Sequence, residues 1–164
     1  MSHLSKAQSG FTLLEVLVAI VVLSLGLLGL AGLQAASLRN NQTAYYRGIA
    51  TQQAYDMADR IRANLAGVRA GNYSNLAGLP GANPNCFAAV CTPANIAIAD
   101  HRQWNTVNRA LLPAGGGTVV CEDGAAGAGC TAATGNWVFN ITVTWNERTE
   151  AGVAGQSFVT RVSP

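Results

Sequence analysis

The sequence predicts an α+β fold. One long amino-terminal helix, membrane-spanning in its first half and amphipathic in its second, packs on a small antiparallel β-sheet head held by disulfides. Three observations carry this. Residues 11–33 contain a single charge, Glu15. Apolar residues then recur at helical spacing as far as Val68. Late in the chain, Trp137, Phe139, Ile141, Val143 and Trp145 alternate with Val138, Asn140, Thr142, Thr144 and Asn146, the period-two pattern of a half-buried strand.

The apolar run is 23 residues long. As a helix it spans roughly 35 Å, enough to cross a hydrocarbon core of about 30 Å. Glu15 is the anomaly, because a carboxylate at the bilayer centre costs about 2.5–3.5 kcal/mol and less near the edge. Residues 1–10 precede the run as a short polar segment whose only Lys or Arg is Lys6. That charge marks the retained side of the membrane. Cleavage at the Gly10-Phe11 junction would place a new ammonium on Phe11, four residues from Glu15. The two charges would lower each other's desolvation penalty. The bland alternative is a signal anchor with a stray acid.

Ser9-Gly10-Phe11-Thr12-Leu13-Leu14-Glu15 and the uncharged tract of residues 16–29 resemble the signal of the type IV pilin superfamily at every position. The resemblance implies that a prepilin peptidase cuts after Gly10 and N-methylates Phe11. It implies that Glu15 pairs with the amino terminus of a neighbouring subunit during assembly. It also implies a single-pass inner-membrane protein with a periplasmic head that later enters a surface pilus. The organisation expected is a leader over residues 1–10, a transmembrane helix over 11–33, an amphipathic helix over 34–70 and a head over 71–164.

Inside the span, Gly26, Gly29 and Gly32 recur every third residue. Each glycine costs a helix about 0.8–1.0 kcal/mol relative to Ala. Two readings stand: a small-residue face for close helix packing, or a weak point that unwinds when subunits pack. Major pilins often carry a proline near the place of Gly32, and this sequence departs from that pattern. Beyond Gln34, the residues Leu38, Tyr45, Ile49, Met57, Ile61, Leu65 and Val68 form one apolar stripe. Gly67, Gly71 and Asn72 mark its end. One helix from about residue 11 to about residue 65 would run some 80 Å.

Residues 72–99 are rich in Gly, Asn, Pro and Ala, and read as a loop. Asp100 reads as the N-cap of a short helix carrying Trp104, Val107 and Leu111 on one face. Leu112-Pro113 ends that helix, and Gly115-Gly116-Gly117 turns the chain. A short strand over residues 118–121, a loop to residue 134, the long strand, a second loop over 147–155 and a last strand over 158–162 complete the head. One sheet edge is left exposed, which suits an assembling protein.

All four cysteines lie after residue 85, on the side that would be exported to an oxidising compartment. Three pairings are possible. The local pairs Cys86 with Cys91 and Cys121 with Cys130 are favoured, because each flanks a loop-like stretch. A four-cysteine zinc site is the alternative, but its short C-x2-C knuckles are missing. No cofactor and no metal is expected.

Patches of the head sharpen the resemblance. Trp104, Leu111-Leu112-Pro113 with its following glycines, Val119-Val120, and Val143-Thr144-Trp145 with Glu147-Arg148 look like the minor pilins that modify type IV pili. This implies a low-abundance subunit that joins other minor pilins and the major pilin in priming assembly on an inner-membrane platform, in systems that drive twitching motility. The rival is the minor pseudopilin I of type II secretion, whose amino terminus is nearly the same. Its head length differs, and it lacks the Pro-Gly-rich turn before the strand.

Two other function classes fare worse. After leader removal His101 is the sole histidine, and no nucleophile elbow or phosphate loop accompanies it. His101 reads as a surface or capping residue, and the protein as a non-enzyme. The full chain carries a net charge of +2, and without Lys6 it has nine basic and eight acidic residues. Beyond Arg69 the head has four arginines against five acids, no footprint for nucleic acid. A DNA-uptake or adhesive minor pilin is the remaining alternative.

Overall fold

The computed structural model describes residues 10–86, 88–122, 130, 137–149 and 151–164. In chain order the elements are α1 (Leu13–Ala63), α2 (Leu65–Arg69), β1 (Asn75–Leu76), α3 (Pro93–Leu111), β2 (Gly116–Glu122), β3 (Val138–Thr149) and β4 (Gly152–Val162). The chain forms two compact units, one ending at Gln42 and one over Thr43–Pro164. The arrangement is type IV pilin-like α+β: a long helix with an apolar stretch, a four-stranded antiparallel sheet and two disulfides.

In the first unit α1 is exposed on every face, from Leu13 to Leu38. It is long and apolar enough to cross a bilayer. The helix begins at Leu13 rather than Phe11, because Thr12 caps it. It runs through Gly26, Gly29 and Gly32 without a break.

The second unit is built on the sheet order β1-β2-β3-β4, all antiparallel. Its core joins Met57 and Ile61 of α1 and Trp104 of α3 to Val119, Phe139, Ile141 and Val143 of the sheet. The expected stripe is covered in part: Met57, Ile61 and Val68 are buried and Ile49 packs against the core, while Leu38, Tyr45 and Leu65 stay exposed. The rest of the buried face of α1 is Ala50, Gln53, Ala54 and Ala58. Small side chains there allow close packing against the neighbouring elements.

α3 starts seven residues earlier than its expected cap. The Thr92 hydroxyl accepts the Asn95 N–H (3.3 Å), and Pro93 occupies the first turn, where its missing N–H is harmless. Asp100 is therefore mid-helix and caps nothing. Its inward face is Ala97, His101, Trp104, Asn105 and Asn108, half of it polar, whereas Leu111 is exposed. The Trp104 indole donates to the Gln53 carbonyl of α1 (2.8 Å), tying the two helices together.

The turn from α3 to β2 depends on close approach. A Cβ on Gly115 would collide with the Asn108 carbonyl, and one on Gly117 with the Trp104 ring. Gly116 and Gly117 belong to β2 rather than to a turn. The expected loop over residues 147–155 is instead mostly sheet: Glu147 pairs with Ala154 and Arg148 with Val153. Glu147 tolerates its buried place by accepting the Trp145 indole N–H (2.8 Å). Residues 123–129 and 131–136, within the expected loop after β2, lie outside the described residues.

Candidate functional site

Gly10, Phe11 and Thr12 form exposed, non-helical chain directly before α1. The Thr12 carbonyl accepts from the N–H groups of Glu15 (3.1 Å) and Val16 (3.3 Å), and its hydroxyl accepts the Glu15 N–H (3.3 Å). Thr12 is thus the N-cap and Glu15 stands in the first turn, where a carboxylate meets the positive end of the helix dipole. Thr12-Leu13-Leu14-Glu15 has the spacing of a capping box. That signal was legible in the sequence and is missed when the helix is begun at Phe11.

Phe11 and Glu15 line one shallow groove with Val16, Ala19, Ile20, Leu23 and Ser24, about 530 Å³ in volume. These residues follow one helical stripe, and Ala19 and Ser24 make it concave. The Ser24 hydroxyl donates to the Ile20 carbonyl of its own helix (2.6 Å). Glu15 is then the one charged group on an otherwise apolar groove. A cation delivered by another molecule would find a carboxylate there, and an apolar helix would find a complementary surface.

The glycines of this unit are not required by packing among the described residues. A Cβ built on Gly10, Gly26, Gly29 or Gly32 would meet no atom within 4 Å. Gly10 is also absent from the positive-φ residues, so its backbone does not demand glycine. No packing contact among the described residues calls for glycine at these positions. Ser9 and Lys6 lie outside the described residues.

The cysteines are far from this groove in sequence and serve the head. Cys86 is bonded to Cys91, immediately ahead of the Thr92 cap, and Cys121 to Cys130. Cys121 sits in β2, its N–H donating to the Ser74 carbonyl (2.8 Å), while the Cys130 carbonyl accepts the Ser74 hydroxyl (3.4 Å).

His101 is not on the surface. It is buried, its Nε2 has no hydrogen-bond partner among the described residues, and it lies against Trp104 with ring centres 6.2 Å apart. Burial pushes its pKa down, partly opposed by a hydrogen bond with the Gly117 backbone, so the ring is neutral at pH 7. Asp100 faces elsewhere. It accepts the Tyr73 hydroxyl (2.8 Å) and pairs with Arg60 (3.4 Å). Burial pushes the Asp100 carboxyl upward, and the Tyr73 bond and Arg60 pull it back. The same burial raises the Tyr73 phenol. Asp100 and His101 thus serve different contacts and make no acid–base pair.

A family model described as the prokaryotic N-terminal methylation motif matches residues 5–31. The match covers the Gly10–Phe11 junction, Glu15 and most of the apolar run, and none of the head. Comparison with curated proteins and with solved structures finds no match.

Proposed function

We propose that this chain is a type IV pilus minor pilin, a subunit that takes part in priming assembly and is incorporated into the pilus. The methylation motif over residues 5–31 supports a type IV pilin-like protein, and one observation carries the reading further. Phe11 and Glu15 share one groove on an uncovered apolar helix, with the Gly10–Phe11 bond exposed ahead of it. On this reading a prepilin peptidase removes residues 1–10 and methylates Phe11. Residues 11–33 hold the chain in the inner membrane, residues 34–70 carry the helix into the periplasm, and residues 71–164 form most of the head. Glu15 then takes the amino terminus of a neighbouring subunit. The pair lowers the desolvation cost of both charges and sets the stagger between helices. Other minor pilins, the major pilin and the assembly platform are its partners.

The minor-pilin assignment rests on the head patches around Trp104, Leu112-Pro113 and Val143-Thr144-Trp145, which resemble the type IV pilus modification protein PilV. Affinity isolation of the intact chain from membranes tests it. Major and minor pilins should accompany the protein. Co-isolation of type II secretion subunits instead would assign it to the pseudopilins.

A further inference from the structure

The second unit carries a groove that the amino-terminal reading leaves unused. It is lined by Arg47 and Thr51 of α1, Trp145 of β3, and Gln156, Ser157 and Phe158 of β4, with a volume of about 360 Å³. β4 is the outermost strand and pairs only with β3, so its other row of N–H and C=O groups is unpaired among the described residues. Proteins blunt such edges with lysine, proline or a bulge. β4 has none of these. Its 11 residues contain no proline or lysine and one charge, Arg161. Its register with β3 runs one-to-one from Thr149↔Gly152 to Phe139↔Val162.

The charge of the groove is one-sided. Arg47 is exposed and makes no ion pair among the described residues. No acid lines the groove among the described residues, and Glu147 is committed to the Trp145 indole. The Thr51 hydroxyl donates to the Arg47 carbonyl (2.8 Å), and the guanidinium is the charged group among the lining residues.

We propose that the β4 edge accepts an extended segment of another protein as a further strand, with an acidic side chain of that segment on Arg47. Strand addition supplies sequence-independent main-chain hydrogen bonds, and the guanidinium supplies the selection. A second copy of this chain fits poorly. Antiparallel pairing of β4 with β4 about Ser157, its midpoint, would bring both copies of Arg47 to one seam, and β4 itself carries no acid. The proposal concerns the second unit alone and does not depend on the pilus reading.

The test uses the full-length protein in detergent micelles and a blocked, fluorescent peptide of alternating Thr and Val, about eight residues long, with a central Glu. The Glu peptide should bind about fivefold more tightly than its Gln counterpart. Arg47→Gln, at an exposed residue without an ion pair, should erase that difference while the far-ultraviolet circular dichroism stays unchanged. N-methylation of alternate amides should abolish binding in one parity and spare it in the other, because only every second residue of an added strand faces β4. Equal binding of the Glu and Gln peptides, indifference to parity, or no binding at about 1 mM would overturn the proposal. So would efficient disulfide dimerisation of Ser157→Cys, which would give the edge to a second copy.

Discussion

A methyl group on Gly10 would touch nothing among the described residues, yet glycine stands there. The proposed reading places the constraint in the peptidase. Gly10→Val should therefore leave the fold intact and block processing. Mass spectrometry of wild type should find a chain beginning at N-methyl-Phe11, and of the variant one that retains Met1. A normally processed variant would remove the reason for the glycine. Glu15 has two roles to separate, because it stands in the capped first turn and is proposed to meet a neighbour's amine. Glu15→Ala should insert and be cleaved normally but be poorly recruited by its partner pilins, with Glu15→Asp intermediate. Thr12→Ala removes the cap while keeping the carboxylate, at about 1 kcal/mol of first-turn stability. If capping alone mattered, Thr12→Ala and Glu15→Ala would reduce recruitment equally. The assembly contact requires Glu15→Ala to be the more severe in co-isolation experiments.

Between elements, α3 meets the sheet through the apolar Trp104 and through one polar contact. The Asn105 side chain accepts the Gly117 N–H (2.7 Å) and donates to the Gly117 carbonyl (3.2 Å), so one amide stands in for a strand partner. It does so where β2 has outrun β1, which pairs only with Val119 and Val120. Asn105→Ala would leave both backbone groups buried and unpaired, at about 1–3 kcal/mol for each orphaned group. Thr106→Ala, one residue on and exposed, removes only a bond to its own helix and should fall within about 0.5 kcal/mol of wild type. Denaturant titration followed by tryptophan fluorescence compares the two. An Asn105→Ala loss no larger than that of Thr106→Ala would mean that Gly117 needs no such partner.

At the scale of the molecule, the head is closed by covalent and ionisable groups that respond to conditions. Cys121 and Cys130 are both buried, whereas Cys86–Cys91 closes a shorter loop, with a sequence separation of 5 rather than 9. Replacing Cys121 and Cys130 with serine should lower stability by about 2–3 kcal/mol, and replacing Cys86 and Cys91 by less. The opposite order in thermal melts would contradict the buried pair's larger role. His101 sets a pH dependence. Its folded pKa lies below its ordinary value of 6.5, so the unfolded chain binds the proton more readily. The neutral ring's contribution is complete above pH 6.5 and is lost as pH falls through the folded value. Asp100 is raised and opposes this at lower pH, because protonation relieves its burial. His101→Gln should thus flatten the decline of stability just below pH 6.5, and an unchanged slope would argue that His101 does not titrate on unfolding.

Features that repeat at short range are legible without the fold. The uncharged run around Glu15, the Gly10-Phe11 junction and the alternation in β3 are local patterns. Each states its own element, because a helix and a strand present side chains at fixed periods whatever lies opposite. The general fold followed from them, a long helix with a sheet-bearing head. The tertiary structure decided what depends on the neighbour. Of the expected stripe, Met57, Ile61 and Val68 are buried, but Leu38, Tyr45 and Leu65, at equally good spacing, are exposed, and Ala50, Ala54 and Ala58 join the covered face. The start of α3 was written in Thr92-Pro93 but masked by the surrounding loop-like composition. Asp100, a plausible cap on local grounds, was taken by Tyr73 and Arg60 from outside its own helix. His101 went inward because the face that Trp104 buries also carries residue 101, one turn earlier. Periodicity specifies which residues share a face. Close packing and the pairing of buried polar groups select which face is covered, and those depend on residues distant in the chain.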